Sequence, residues 1–231
     1  IGDLGENGDV ITYTAKWTLE TYIFHFTNTG DNTVADATVT FGDTFTAPTG
    51  LTKTGYTHIG WDPAVPTQIT DLGEDKAEFT FAAQWSADPI EVTFNANGGT
   101  FAGGATTATE TSTFEDSAIK LPAAPEKAGY AFVGWSTDPN AETGSMSLGK
   151  LDTVTPPTYY AIWSANSASY TVEFWYMDVD GATYTKDDSK TLTFNGAVDT
   201  EVSYTAALAE TGFVLNEGAS SLSGTIPAEG A

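Results

Sequence analysis

No cysteine occurs in this chain, so no disulfide staples it, and neither redox compartment is excluded. Arginine is missing as well. Eight lysines stand against 31 acids, for a formal net charge of -23 over 231 residues. A field of that sign repels phosphate backbones and anionic lipid, so nucleic acid is not an expected partner. No apolar run approaches the ~20 residues of a bilayer span, and membrane insertion is not expected either. Ile1-Gly2-Asp3 has neither the basic start nor the apolar block of a signal peptide. Histidine is limited to His25 and His58, which without cysteine make no zinc ligand set. No glycine-rich phosphate loop precedes a helix, and no nucleophile sits in a recognisable elbow. The expectation is therefore no enzyme, with no catalytic residue, metal or cofactor. No 3.6-residue apolar stripe is evident, so any helix should be short.

What the chain does have is aromatic residues, 13% of the total, placed in a repeat. Gly55-Tyr56-Thr57-His58-Ile59-Gly60-Trp61 returns as Gly129-Tyr130-Ala131-Phe132-Val133-Gly134-Trp135. Lys53 and Lys127 stand two places before the first glycine of each copy. At a strand's period of two, Tyr130 and Phe132 share one face, and Ala131, Val133 and Trp135 the other. The first glycine suits a turn into the strand. The second clears space where another backbone or a large ring comes close. Residues that recur at fixed repeat positions are packing residues first, so Tyr56, Trp61, Trp85, Tyr130, Trp135 and Trp163 are assigned to the repeat core.

The repeat sets the domain organisation. Residues 1–19 read as the closing strand of a truncated preceding repeat, because Ile1-Gly2-Asp3-Leu4-Gly5-Glu6 and Trp17 match Ile69 to Glu74 and Trp85 at the same spacing. The segment 11–17 alternates apolar and polar as a strand does. Residues 20–88 form a first complete, divergent module, opened by Tyr22, Phe24 and Phe26 and closed by Phe79 to Trp85. Residues 89–167 form a second, opened by Ile90, Val92 and Phe94 and closed by Tyr159 to Trp163. There Asn97-Gly98 signals a tight turn, because both residues accept positive φ. Short connections at 86–88 and 164–167 favour an extended, semi-rigid string.

Phe-Asn-Ala-Asn-Gly-Gly at 94–99, Gly-Tyr-Ala-Phe-Val-Gly-Trp at 129–135 and Tyr-Ala-Ile-Trp at 160–163 closely resemble, in this order, the Listeria–Bacteroides repeat, or internalin B-repeat. The resemblance covers 89–167 fully, 20–88 with departures and 1–19 as a fragment. In the first module Asn-Gly-Gly is replaced by Thr29-Gly30-Asp31, and His58 stands where Phe132 does. The resemblance implies tandem β-grasp-like modules of a bacterial cell-surface protein, without enzymatic activity. The fold class expected is mostly β or α+β, as small modules in an elongated array. The expected location is extracellular, as a piece of a longer protein without its own signal or anchor.

Residues 168–231 depart from the pattern and resemble mucin-binding-protein repeats, with the closing strand expected to be missing. Tyr170, Val172, Phe174 and Tyr176 alternate as one strand, and Asp178-Val179-Asp180-Gly181 reads as a turn. That run also suggests the start of a calcium loop, but its twelfth position is Ser189 and not glutamate. Trp175 lies opposite the Tyr170/Phe174/Tyr176 face and is the candidate for a binding or inter-module contact. The function expected is a stalk or spacer presenting other domains, with neighbouring repeats of the same chain as partners. The alternative is an adhesive module that binds host protein or glycan through 168–231. The unpaired ends also suggest weak head-to-tail self-association, residues 11–17 of one molecule adding to the open edge of another's last module.

Overall fold

Alternating aromatic residues at Thr21–Thr27 make the first strand, β1, and their burial alternates in step: Tyr22, Phe24 and Phe26 are buried and their neighbours are not. The computed structural model of the chain describes residues 12–205 and 210–228. The chain divides into two compact units, Ile1–Asp88 and Pro89–Ala231. Among the described residues, the regular structure of both is almost wholly strand. The one helical segment among the described residues is a 3₁₀ turn at Asp188–Lys190.

In the first unit, β1 is joined by β2 (Ala37–Thr40), β3 (Tyr56–Asp62) and β4 (Glu78–Ala87) in a sheet of order β2-β1-β4-β3. The central pair β1–β4 is parallel, and both outer pairs are antiparallel. This is a β-grasp-like order in which irregular segments take the place of a crossover helix. One face of the sheet carries the core. Phe24 meets Phe45, Phe79 and Phe81 edge-on, and Phe26 meets Trp61 edge-on at 5.0 Å. Each such ring pair contributes ~0.5–1.5 kcal/mol beyond area burial.

Residues 12–20 belong to no strand. The closing strand expected over 11–17 is not formed: its first residue, like the Ile1–Glu6 match, lies outside the described residues, and the rest is bare. Tyr13 is 88% and Trp17 91% exposed.

The second unit repeats the sheet with β5 (Pro89–Asn95), β6 (Thr107–Thr113), β7 (Tyr130–Ser136) and β8 (Tyr159–Ala165) in the order β6-β5-β8-β7. Ile90, Val92 and Phe94 are buried with Phe101, Ile119, Trp135, Leu148, Leu151 and Ala161. The segments 86–87 and 164–165, expected to be links, are the ends of β4 and β8.

Beyond β8 the expected single strand 170–176 is two. β9 (Ser167–Val172) pairs with β12 (Leu192–Ala197), and β10 (Trp175–Met177) with β11 (Tyr184–Lys186). The change of partner at Glu173-Phe174 breaks the strand, although the inward alternation of Tyr170, Val172, Phe174 and Tyr176 continues through the break. Two short strands, β13 (Glu201–Ser203) and β14 (Ser223–Thr225), form a third pair. At Gly212 (φ 84°) the Gly-aromatic turn recurs, Phe213 N–H donating to Glu210 O at 3.1 Å, but residues 214–222 after it form no strand.

Candidate functional site

The recurring heptapeptide does not follow strict alternation. The register of β7 against β8 shifts between Phe132 and Gly134, and that of β3 against β4 between His58 and Gly60. Both second glycines sit at φ 138°, a conformation L side chains rarely adopt. The bulge inserts one residue, so Trp135 returns to the face of Phe132, 5.2 Å from it edge-on, and Trp61 to the face of His58 at 5.4 Å. The expected face of Ala131, Val133 and Trp135 is thereby split. Ile59, at the bulge, is 65% exposed, whereas Trp135 is 2% exposed.

The closing tryptophans reach the opening turn. Trp163 Nε1 donates to Ala96 O at 3.0 Å and to Asn97 O at 3.1 Å, and Trp85 Nε1 donates to Asn28 O at 2.8 Å. Both indoles are half-buried. Each lies against a glycine: a methyl on Gly99 would stand 2.6 Å from Trp163 Cζ2, and one on Gly30 would stand 3.0 Å from Trp85 Cζ2. Asparagine completes the clamp. Asn97 (φ 49°) donates from Nδ2 to Ala161 O at 2.9 Å, and Asn28 (φ 55°) to Ala83 O at 2.7 Å. The counterpart of Asn97-Gly98-Gly99 is therefore Asn28-Thr29-Gly30, one residue earlier than the sequence match between the modules suggests. The first module keeps both the asparagine anchor and the glycine beneath the indole.

Beside each clamp lies an open surface depression. In the second unit it is lined by Thr100, Glu126, Lys127, Tyr130, Phe132 and Trp163 among others. In the first unit the equivalent residues Asp31, Thr52, Lys53, Tyr56 and His58 line it. The lysine before each Gly-Tyr lies over the tyrosine ring, Nζ to centroid 3.9 Å for Lys53 on Tyr56 and 4.0 Å for Lys127 on Tyr130. Such a contact contributes ~0.5–1 kcal/mol at an exposed site. The spacing of Lys53 and Lys127 was visible in the sequence, but its purpose was not. His58 occupies the place of Phe132, with Trp61 and Trp85 at 5.4 and 5.3 Å, and its Nε2 is buried without a hydrogen-bond partner.

Trp175 stands apart from these clusters. It is 53% exposed on the β10–β11 hairpin, and its Nε1 donates to Glu173 Oε2 at 3.2 Å. Lys186, opposite it in register, bridges Glu173 and Asp188 at 2.9 and 3.0 Å, and the Lys186 contact holds the Glu173 carboxyl below its ordinary value. Met177 and Tyr184, both exposed, share that face. Asp178 to Gly181 is the turn of this hairpin. Gly181 N–H donates to Asp178 O at 2.9 Å, and the Asp180 carboxylate accepts from the N–H groups of Ala182 and Thr183. Those donors lower the Asp180 pKa. Among the described residues no group of three or more His, Asp or Glu is placed to hold a metal, and no helix is long and apolar enough to cross a membrane.

The Listeria-Bacteroides repeat domain matches residues 22–84 and 91–162. These spans hold both bulged strands and the opening turns of both clamps, and each ends one residue short of its clamp tryptophan, Trp85 or Trp163. A protein of Evansella cellulosilytica named as a membrane protein is 29% identical over 199 residues, 83% of this chain and 27% of its own length. A second from that organism, named as a Gly-rich membrane protein, is 29% identical over 163 residues, 69% of this chain and 18% of its own length. Internalin H of Listeria monocytogenes is 30% identical over 146 residues, 59% of this chain and 24% of its own length. The chain thus spans about a quarter or less of each of these relatives.

Proposed function

The chain belongs to the Listeria–Bacteroides repeat family, and on that premise we propose that it is a non-enzymatic spacer of a bacterial cell-surface protein, holding other domains away from the cell. The observation that carries this reading is the use made of the repeated motif. The indole N–H groups of Trp85 and Trp163, the turn asparagines Asn28 and Asn97, and the glycines beneath the indoles, Gly30 and Gly99, all bond or pack within their own module. Groups bonded in this way are not available to a substrate. The likeness to Internalin H and to proteins named for the membrane supports the location at the surface. The one-sign charge keeps neighbouring chains apart. Small-angle scattering tests the spacer reading. A radius of gyration well above the ~17 Å expected of one compact globule of this length supports it, and a value near ~17 Å contradicts it.

A second reading is adhesion through residues 168–231, whose resemblance to mucin-binding repeats belongs to this proposal. It rests on the hairpin face of Trp175, Met177 and Tyr184, an amphipathic platform with Glu173 and Lys186 as adjacent polar groups. Glycan-array and mucin-binding assays with Trp175→Ala as control test it. Binding lost in the variant supports adhesion, and no binding by the parent chain retires it.

A further inference from the structure

The core of the last segment is small: Ala168, Val198 and Ile226 are its buried members, with Tyr170, Val202 and Ala228 beside them. Also packed against it is Tyr130, which belongs to the preceding module. Tyr130 Oη donates to Asp199 Oδ2 at 2.6 Å, across 69 positions of sequence. The backbone is tied at the same place. Asn166 N–H donates to Gly129 O, Val198 N–H to Asn166 O and Asp199 N–H to Ile226 O, each at 2.9 Å. Contact there is close enough that a methyl on Gly129 would stand 2.7 Å from Ala228 Cβ and 2.9 Å from Val198 Cγ1. Asp199 holds a left-handed φ of 60°, which turns the chain out of β12 and aims its carboxylate at the tyrosine.

We infer that the Gly129-Tyr130 turn is a docking seat for the Val198-Asp199 corner of the segment that follows, and that residues 168–228 complete their core on it and are not an autonomous domain. The partner this seat fits is a left-handed acidic corner preceded by an apolar residue. The ring of Tyr130 supplies apolar area that three small or medium side chains lack, and its hydroxyl fixes the register. On its other side Lys127 covers the ring, so the tyrosine is held in place from both directions. The hydrogen bond to Asp199 and the nearby carboxylate also raise the Tyr130 pKa, in keeping with a hydroxyl that stays protonated. A module core that borrows its neighbour's tyrosine couples the two in folding, which is how short repeats gain stability in arrays. This inference does not depend on the spacer reading.

The test places the change in one module and the readout in the other. Native-state hydrogen exchange is followed by mass spectrometry on the full chain carrying Tyr130→Phe, Tyr130→Ala, Asp199→Asn or Tyr130→Phe with Asp199→Asn. Asparagine tolerates the left-handed conformation, so Asp199→Asn removes charge without new strain. Tyr130→Phe and Asp199→Asn should each speed exchange in β9, β12 and β13 on the order of tenfold, with β5 and β6 unchanged. Tyr130→Ala should do more, and the double variant no more than either of its singles. Unchanged protection of β9 and β12 in all variants, or loss spread equally over β5 and β6, overturns the inference.

Discussion

Gly99→Ala isolates the clamp of tryptophan on turn. Gly99 is absent from the residues with positive φ, so alanine meets no backbone penalty there and the effect is purely steric. The added methyl would sit 2.6 Å from Glu126 O and 2.6 Å from Trp163 Cζ2, where ordinary contact begins at 3.4 Å. Relief requires the indole or the main chain to retreat. Overpacking of this kind costs ~1–3 kcal/mol. Retreat of the indole also stretches its bonds to Ala96 O and Asn97 O, now 3.0 and 3.1 Å, which adds ~1 kcal/mol. A loss of about 2–4 kcal/mol is expected. Trp163→Phe removes the donor and the outer ring together. In that background Gly99→Ala meets only the Glu126 carbonyl, so the double variant should fall short of additivity by ~1 kcal/mol. Native-state hydrogen exchange on peptides covering residues 94–100 and 159–164 reads this module directly. A Gly99→Ala effect under ~0.5 kcal/mol, or strict additivity with Trp163→Phe, would refute the clamp.

Other variants probe the same frame. Gly60 and Gly134 share φ 138°, but only Gly134 faces another backbone: a methyl there would stand 2.7 Å from Gly144 C and from Ser145 N. Gly60→Ala should cost ~1–3 kcal/mol of backbone strain, and Gly134→Ala clearly more, as read from denaturant midpoints. His58→Phe should stabilise the first unit by ~1 kcal/mol, since it keeps the ring between Trp61 and Trp85 and removes the unpartnered Nε2; a loss of stability would show that Nε2 has a partner. His25 is flanked by Asp36 at 2.9 Å and Glu78 at 3.4 Å, and the Asp36 bond raises its pKa. Its contribution should be fully present below about pH 6.5 and disappear as pH rises through the raised folded value. Melting curves of the parent and of His25→Gln should therefore converge at alkaline pH and separate in acid. Equal separation at both ends would contradict that pairing.

Much of the sheet was readable from alternation alone. Tyr22/Phe24/Phe26 and Ile90/Val92/Phe94 face inward as their spacing requires, and Asn97-Gly98 turns with both φ values positive. The heptapeptide misled because period two assumes no bulge, and a glycine at φ 138° is not distinguishable in sequence from one that merely clears space. β6 was passed over because Thr107–Thr113 is a threonine-rich strand without a run of large apolar residues. Trp17 has the repeat position of Trp85 and Trp163 but not their burial, because spacing marks a position without showing what packs against it. The docking of Tyr130 could not be read at all. Val198, Asp199 and Ala228 carry no motif, and only the fold brings them to the turn.

The six tryptophans allow the most direct test of the claim that the closing tryptophans of the repeat serve the interior of their modules. Hydrogen exchange of the indole N–H groups, resolved in a ¹⁵N spectrum with single-site assignments, separates donors inside the fold from those in water. Slow exchange is expected at Trp85 and Trp163, which bond main-chain carbonyls of the opening turns, and fast exchange at Trp17. If the indoles of Trp85 and Trp163 exchange as fast as that of Trp17, the clamps do not form and the account fails.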